Sequence, residues 1–231
     1  MKPLAIITGV GPGTGAALVR RYAEGGYRVA MLARDTTRLA ALAEEIPDAF
    51  AVACDVADPA SLHAALDQAA ASGGPLKAIV HNAVGGSFGT FLDVEPSVLE
   101  ANFHINVMAL YHIARWATPR MEAEGGSIIV TGNTSAERGK TFFAAFAPTK
   151  AAQRILAESI ARQLGPKGIH VAYLVIDAVI DVPWTRERFA DKPDDFFIRP
   201  ADIADEAFHV AHQPRSAWSF RTEIRPAGET W

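Results

Sequence analysis

"TGVGPGTG", Thr8 to Gly15, decides the fold. It follows the apolar run "LAIIT" (Leu4–Thr8) and opens an amphipathic stretch near residues 14–25. Glycines here let the chain turn tightly and bring its backbone close to a pyrophosphate. The helix that follows then offers free N–H groups and positive potential. A glycine-rich turn alone is also an ordinary βα connection. Placed after a strand, before a helix and at the start of a βαβ unit, it points to nucleotide binding, with Gly9, Gly11, Gly13 and Gly15 shaping the cradle.

The alternation continues along the chain. Strands are expected at Leu4–Thr8, Arg28–Ala33, Ala49–Cys54, Lys77–His81, Ser127–Gly132, His170–Ile176 and Trp218–Ile224. Helical patterns lie near residues 14–25, 36–45, 59–71, 97–122, 147–164 and 200–212. Strands apolar along their whole length imply a sheet covered on both faces. Alternation with helices implies parallel strands and right-handed crossovers. The expected fold is α/β: a Rossmann-type, doubly wound, mostly parallel seven-stranded sheet with helices on both faces. One domain spans residues 1–231. The charged and aromatic segment 183–200, "PWTRERFADKPDDFFIRP", is read as one long irregular piece and a candidate lid.

Composition narrows the partners. The 231 residues carry 22 Lys plus Arg against 26 Asp plus Glu, a net charge of −4, with no basic run. Nucleic acid and anionic membranes are therefore not expected. The single cysteine, Cys54, cannot form an internal disulfide, and no Cys/His cluster has metal-site spacing. The opening "MKPLAIITG" lacks a secretion-signal pattern and the most apolar run is too short for a bilayer. A soluble cytoplasmic protein with a small-molecule substrate is expected.

Several landmarks fall in a recognisable order: Thr-Gly, three residues, Gly-x-Gly at Thr8–Gly15; "CDV" (Cys54–Val56) closing the third strand; "HNAVG" (His81–Gly85) closing the fourth; "NVMALYH" from Asn106; and "GPKGIHV" leading into the sixth strand. Over about residues 4–183 the chain resembles the short-chain dehydrogenases/reductases. The resemblance implies nucleotide contacts from Thr8 and the glycines, Asp55 at the adenine, Asn82, Lys150 at the nicotinamide ribose and the Ile180 backbone at the carboxamide. At the end of the second strand "Ala33-Arg34" looks like the NADP pattern, because a guanidinium can pair with a 2′-phosphate. Adjacent Asp35 keeps NAD as the alternative.

The family's reaction uses a Tyr to move the proton, a Lys four residues later, a Ser that orients the substrate oxygen and an Asn that holds a relaying water. A phenol near pKa 10 is a poor base until a nearby ammonium stabilises the phenolate. Here the Lys matches Lys150 and the Asn matches Asn106, but the Tyr position is Phe146, in "AAFAPTK" (Ala144–Lys150). The Ser position falls on Asn133, with Ser135 two residues later. Asp177 is the speculative substitute for the proton donor, against the alternative of a structural carboxylate. Val84 and Val182 replace a Gly and a Thr of the family pattern. The resemblance thus implies an NAD(P)-dependent oxidoreductase acting on a carbonyl or alcohol with an altered proton donor. The alternative is a silent NADP(H)-binding sensor or partner protein. By the same resemblance, helices 97–122 and 147–164 imply a homo-oligomer, a dimer or tetramer.

Overall fold

The computed structural model describes residues 1–229. The elements in order are β1 Leu4–Thr8, α1 Thr14–Glu24, β2 Arg28–Ala33, α2 Ala40–Glu45, β3 Ala49–Ala53, α3 Pro59–Ser72, β4 Leu76–His81, α4 Pro96–Phe103, α5 Ala109–Met121, β5 Gly126–Asn133, α6 Ala147–Leu164, β6 Ile169–Ile176, β7 Val179–Ile180, α7 Pro183–Arg188, β8 Phe197–Ile198, α8 Pro200–Ala211 and β9 Arg221–Ile224. Seven strands form one sheet in the order β3-β2-β1-β4-β5-β6-β9, and every pairing is parallel. The expected doubly wound α/β sheet is what the chain forms.

Burial explains the apolar strands. β1 and β6 are buried along their whole length. One core lies between the sheet and α3, α5 and α6, and holds Leu66, Ile113, Trp116 and Ala157. The other lies under α1 and α8 and holds Leu18, Tyr22, Ile203 and Ala207. Strand order reverses between β1 and β4, so the crevice for a ligand opens at their carboxyl ends.

Local sequence sets the helix starts. Asp58 caps α3, its carboxylate accepting from the Ala60 N–H at 3.0 Å, and Pro59 begins the helix without needing a donor. Pro148 plays the same part in the first turn of α6.

Four expectations change in detail. The helix expected over 97–122 is interrupted by a π-helical turn, His104–Met108, between α4 and α5. The stretch expected as helical from residue 36 is a 3-10 turn at Thr37–Leu39 and becomes α-helix only at Ala40. The last strand begins at Arg221, because Arg215–Ala217 forms a 3-10 turn and Trp218 stacks on His170 at 4.7 Å. Segment 183–200 is not irregular: it holds α7, a 3-10 turn and β8, which pairs with β7. Arg186 pins it, bonding Asp181 at 2.6 Å and Asp194 at 2.5 Å while lying 4.0 Å from the centre of the Phe197 ring. Among the described residues no helix is long and apolar enough to cross a membrane, and no cluster of metal-ligating side chains occurs.

Candidate active site

The glycine turn closes on β4. Gly9 has φ +67°, the left-handed region, and a Cβ there would lie 2.4 Å from Ala83 Cα. Only glycine lets β1 and the segment after β4 approach so closely. Gly13 precedes α1 without any capping side chain, and a Cβ on Gly11 would meet nothing within 4 Å. In the first turn of α1 the Ala16 and Ala17 N–H groups bond back to Gly11 O at 2.9 Å and Gly13 O at 3.2 Å, and the N–H groups before them carry the positive end of the helix. Thr14 Oγ1 is buried there without a hydrogen-bond partner. An anion accepting from that hydroxyl and from the helix terminus fits this cradle.

Thr8 supports the cradle from behind. It is fully buried, and its hydroxyl accepts from the N–H groups of Asn82 at 3.2 Å and Ala83 at 3.3 Å. Its one proton is then free for His81 Nδ1 at 3.0 Å. That bond places the neutral ring's proton on Nε2. Burial, with the Lys150 charge second, pulls His81 down to about 4, so the ring is neutral at pH 7. The Thr8 hydroxyl is therefore committed to β4 and the segment that follows it.

A continuous run of hydrogen bonds links the turn to the lysine. Asn82 Nδ2 donates to Gly9 O at 3.0 Å, and Asn82 Oδ1 accepts from Thr131 Oγ1 at 3.2 Å. Lys150 Nζ donates to Thr131 O at 3.1 Å and to Gln153 Oε1 at 2.5 Å. Gln153 Nε2 donates to the main-chain carbonyl of Asn106 at 2.7 Å. Asn106 is clamped in turn: its Nδ2 donates to Gly85 O and Thr149 Oγ1, each at 2.8 Å, and its Oδ1 accepts from the Gly85 N–H at 3.0 Å. The π-helical turn gives Asn106 its place, since such a turn shifts carbonyls out of the usual helical ladder. Burial lowers Lys150 to about 7, near neutrality and far below an ordinary lysine.

Phe146 stands at the N-terminus of α6, buried, in an aromatic group with Phe143 at 6.2 Å and Phe88 at 6.4 Å between ring centres. Phe88 and Phe143 come from two loops joined to each other: Gly89 N–H donates to Phe142 O at 2.8 Å. Asn102 on α4 ties both loops, donating to Ser87 Oγ and Ala145 O at 2.8 Å each.

Asn133 and Ser135 sit together. The Ser135 N–H donates to Asn133 Oδ1 at 3.1 Å, which engages the oxygen end of that amide. Asp177 is held at the end of β6 by Thr134 Oγ1 at 2.8 Å and by Arg138 at 3.7 Å. These bonds engage the carboxylate locally and do not connect it to Lys150.

At the end of β2, Asp35 turns back on its own chain. It accepts from Thr37 N at 3.0 Å and Thr37 Oγ1 at 2.5 Å and pairs with Arg38 at 3.1 Å. Arg34 is exposed and has no ion pair among the described residues. Asp55, exposed beyond β3, accepts from the Ala57 N–H at 3.0 Å. Ile180 lies in the β7–β8 ladder, its carbonyl accepting from Thr185 Oγ1 at 2.5 Å, and Val182 packs on the glycine turn, its Cγ1 2.9 Å from where a Gly13 Cβ would stand.

Sequence reasoning missed Gln153, Thr149, Thr131 and Asn102. Gln153 carried a signal: a polar residue three places after Lys150 on the buried face of α6.

The doubly wound sheet with this cradle at its switch point defines a Rossmann-type protein. A family model for short chain dehydrogenases matches residues 3–193, and the chain belongs to that family. D-erythrulose reductase of Gallus gallus is 31% identical over 169 residues, 72% of this chain and 67% of that protein. The 7alpha-hydroxysteroid dehydrogenase of Escherichia coli (strain K12) is 29% identical over 227 residues, 93% and 88% of the two chains. Among solved structures, a metagenomic short-chain oxidoreductase in complex with NADP superposes with a TM-score of 0.84 at 27% identity, covering 97% of each chain.

Proposed function

We propose that the chain is an NADP(H)-dependent oxidoreductase acting on a carbonyl or alcohol, with its proton-donor position altered by Phe146. The observation that carries the reading is the hydrogen-bonded run from Gly9 through Asn82 and Thr131 to Lys150, kept intact beside a phenyl ring. The relatives' names, a ketose reductase and a hydroxysteroid dehydrogenase, support carbonyl and alcohol chemistry, and the NADP-bound neighbour supports the nucleotide. The nicotinamide supplies hydride transfer when bound.

The protein's own residues do the rest. The N-terminus of α1 and Thr14 take the pyrophosphate. Arg34 takes the 2′-phosphate, since Asp35 is already engaged. Lys150 donates to the nicotinamide ribose from its seat on Thr131. The NH₂ of Asn133, whose oxygen is engaged by Ser135, donates to the substrate oxygen. Phe146 cannot give that oxygen a proton, so the proton comes from solvent or from the substrate itself.

NADPH oxidation followed at 340 nm against a panel of ketoses, steroids and small ketones tests this. Turnover of at least one carbonyl is expected. Tight NADPH binding with no turnover of any would favour the second reading, a silent NADP(H) binder, which the burial of Phe146 among Phe88 and Phe143 supports. A homo-oligomer is proposed on the exposed Leu99 and Phe103 of α4 and Tyr111 of α5, with sedimentation as its test.

A further inference from the structure

The Lys150–Gln153–Asn106 connection has a feature that the reaction does not require. Two buried groups, an ammonium and a main-chain carbonyl, are bridged by a side-chain carboxamide, with hydrogen bonds of 2.5 and 2.7 Å at its two ends. Lys150 is 2% exposed, and Gln153 and Asn106 are fully buried. The amide matches both needs, since its oxygen accepts from the ammonium while its NH₂ donates to the carbonyl. No water can stand between groups already joined in this way. A water would also behave differently: it exchanges protons and rotates, whereas a carboxamide passes a proton only by way of its imidic-acid tautomer.

We propose that Gln153 is a positioning residue for Lys150: its side chain is a fixed strut that holds the ammonium in place for the nicotinamide ribose. The proposal rests on Lys150 as a nucleotide-holding residue. The titratable groups facing the pair are His81 from β4 and Tyr173 from β6, whose hydroxyl lies 3.5 Å from both Gln153 Oε1 and Lys150 O. Among the described residues no carboxylate pairs with Lys150. Gln153 Oε1 and Thr131 O are thus the acceptors that favour its charged form.

The test uses the full chain, with Gln153→Leu and Gln153→Glu. The Lys150 titration is followed by NMR of ¹³C-labelled lysine, assigned with Lys150→Arg, and NADPH binding is measured by calorimetry at pH 7. For Gln153→Leu, the Lys150 pKa falls below its wild-type value and the NADPH Kd rises about tenfold, the loss of one hydrogen bond to a charged group. For Gln153→Glu, the carboxylate moves the Lys150 pKa the opposite way, above wild type. Opposite shifts from two substitutions at one site are not what a space-filling residue produces. An unchanged Lys150 titration in Gln153→Leu overturns the proposal. If that variant does not fold, an unchanged titration in Gln153→Glu overturns it equally. A wild-type protein that binds no NADPH removes the nucleotide reading instead, while the two titrations still decide whether Gln153 sets Lys150.

Discussion

The rings of Phe143 and Phe146 meet edge to face, 6.2 Å between centres and 82° between planes, at the N-terminus of α6. Gly86 faces the Phe146 ring: a Cβ on that glycine would lie 3.8 Å from the ring edge, in ordinary van der Waals contact. A phenol at this position would meet an ammonium already seated one helical turn away. Phe146→Tyr is therefore expected to raise carbonyl reduction by about 10²–10⁴-fold, the usual worth of a positioned acid. Initial rates of NADPH oxidation in the variant and parent check it. Equal rates would show that the pocket has diverged beyond this one residue.

At the end of β2 Asp35 is engaged by Thr37 and Arg38, while Arg34 is exposed. Arg34→Ala is expected to weaken NADPH binding by about 10–100-fold, the worth of charge-assisted hydrogen bonds to a phosphate. NADH, which lacks that phosphate, should bind the variant and parent alike. Parallel calorimetric titrations with the two nucleotides give the answer, and equal losses for both would rule out a 2′-phosphate contact.

Burial of Lys150 and His81 makes stability depend on pH in one direction. Lys150 has its pKa lowered by burial to about 7 in the folded chain. A free lysine titrates near ~10.4. Between those values the unfolded chain binds the proton and the folded chain does not, so stability rises with pH across the window. His81, lowered to about 4 by burial and then by the Lys150 charge, acts in the same sense on the acid side: stability falls as pH drops from ~6.5 towards 4. Urea unfolding of the apoprotein at pH 7, 8 and 9 should show the midpoint climbing. Lys150→Met should flatten that climb, by roughly 1 kcal/mol per pH unit relative to the parent. Parallel slopes in the two proteins would contradict it.

Gly9→Ala tests the closure of the cradle. The residue has φ +67°, and the added methyl would lie 2.4 Å from Ala83 Cα. Left-handed strain and overpacking together predict a loss of about 2–5 kcal/mol. For a chain of this size that lowers Tm by roughly 5–15 °C, with weaker NADPH binding alongside. Differential scanning calorimetry reads the first and titration the second.

Most of the fold was legible because its signals are local. β1 and β2 fall on their expected bounds since unbroken apolar runs mark strands buried on both faces. The glycine turn was legible from its place between an apolar run and an amphipathic stretch, and it does join β1 to α1. The π-helical turn at His104–Met108 was not, because its sequence continues a helical pattern and only the packing of Asn106 against Gly85 and Thr149 selects it. Asp177 looked available in sequence because Thr134, its hydrogen-bond partner, arrives from another strand end. Gln153 was visible as a polar residue on a buried face, but only the tertiary structure brings the Asn106 carbonyl of the π-helical turn to its amide while Lys150, one turn earlier on α6, bonds its oxygen.

The bond from Gly89 to Phe142 joins two loops that belong to separate crossovers, one after β4 and one after β5. A redesigner of this cleft cannot treat them as independent parts. Changing the shape at Phe88 alters what Phe143 rests on, and the reverse is equally true. New specificities at this wall will be found among paired libraries that vary both loops together, and single-loop libraries will sample mostly unseated combinations.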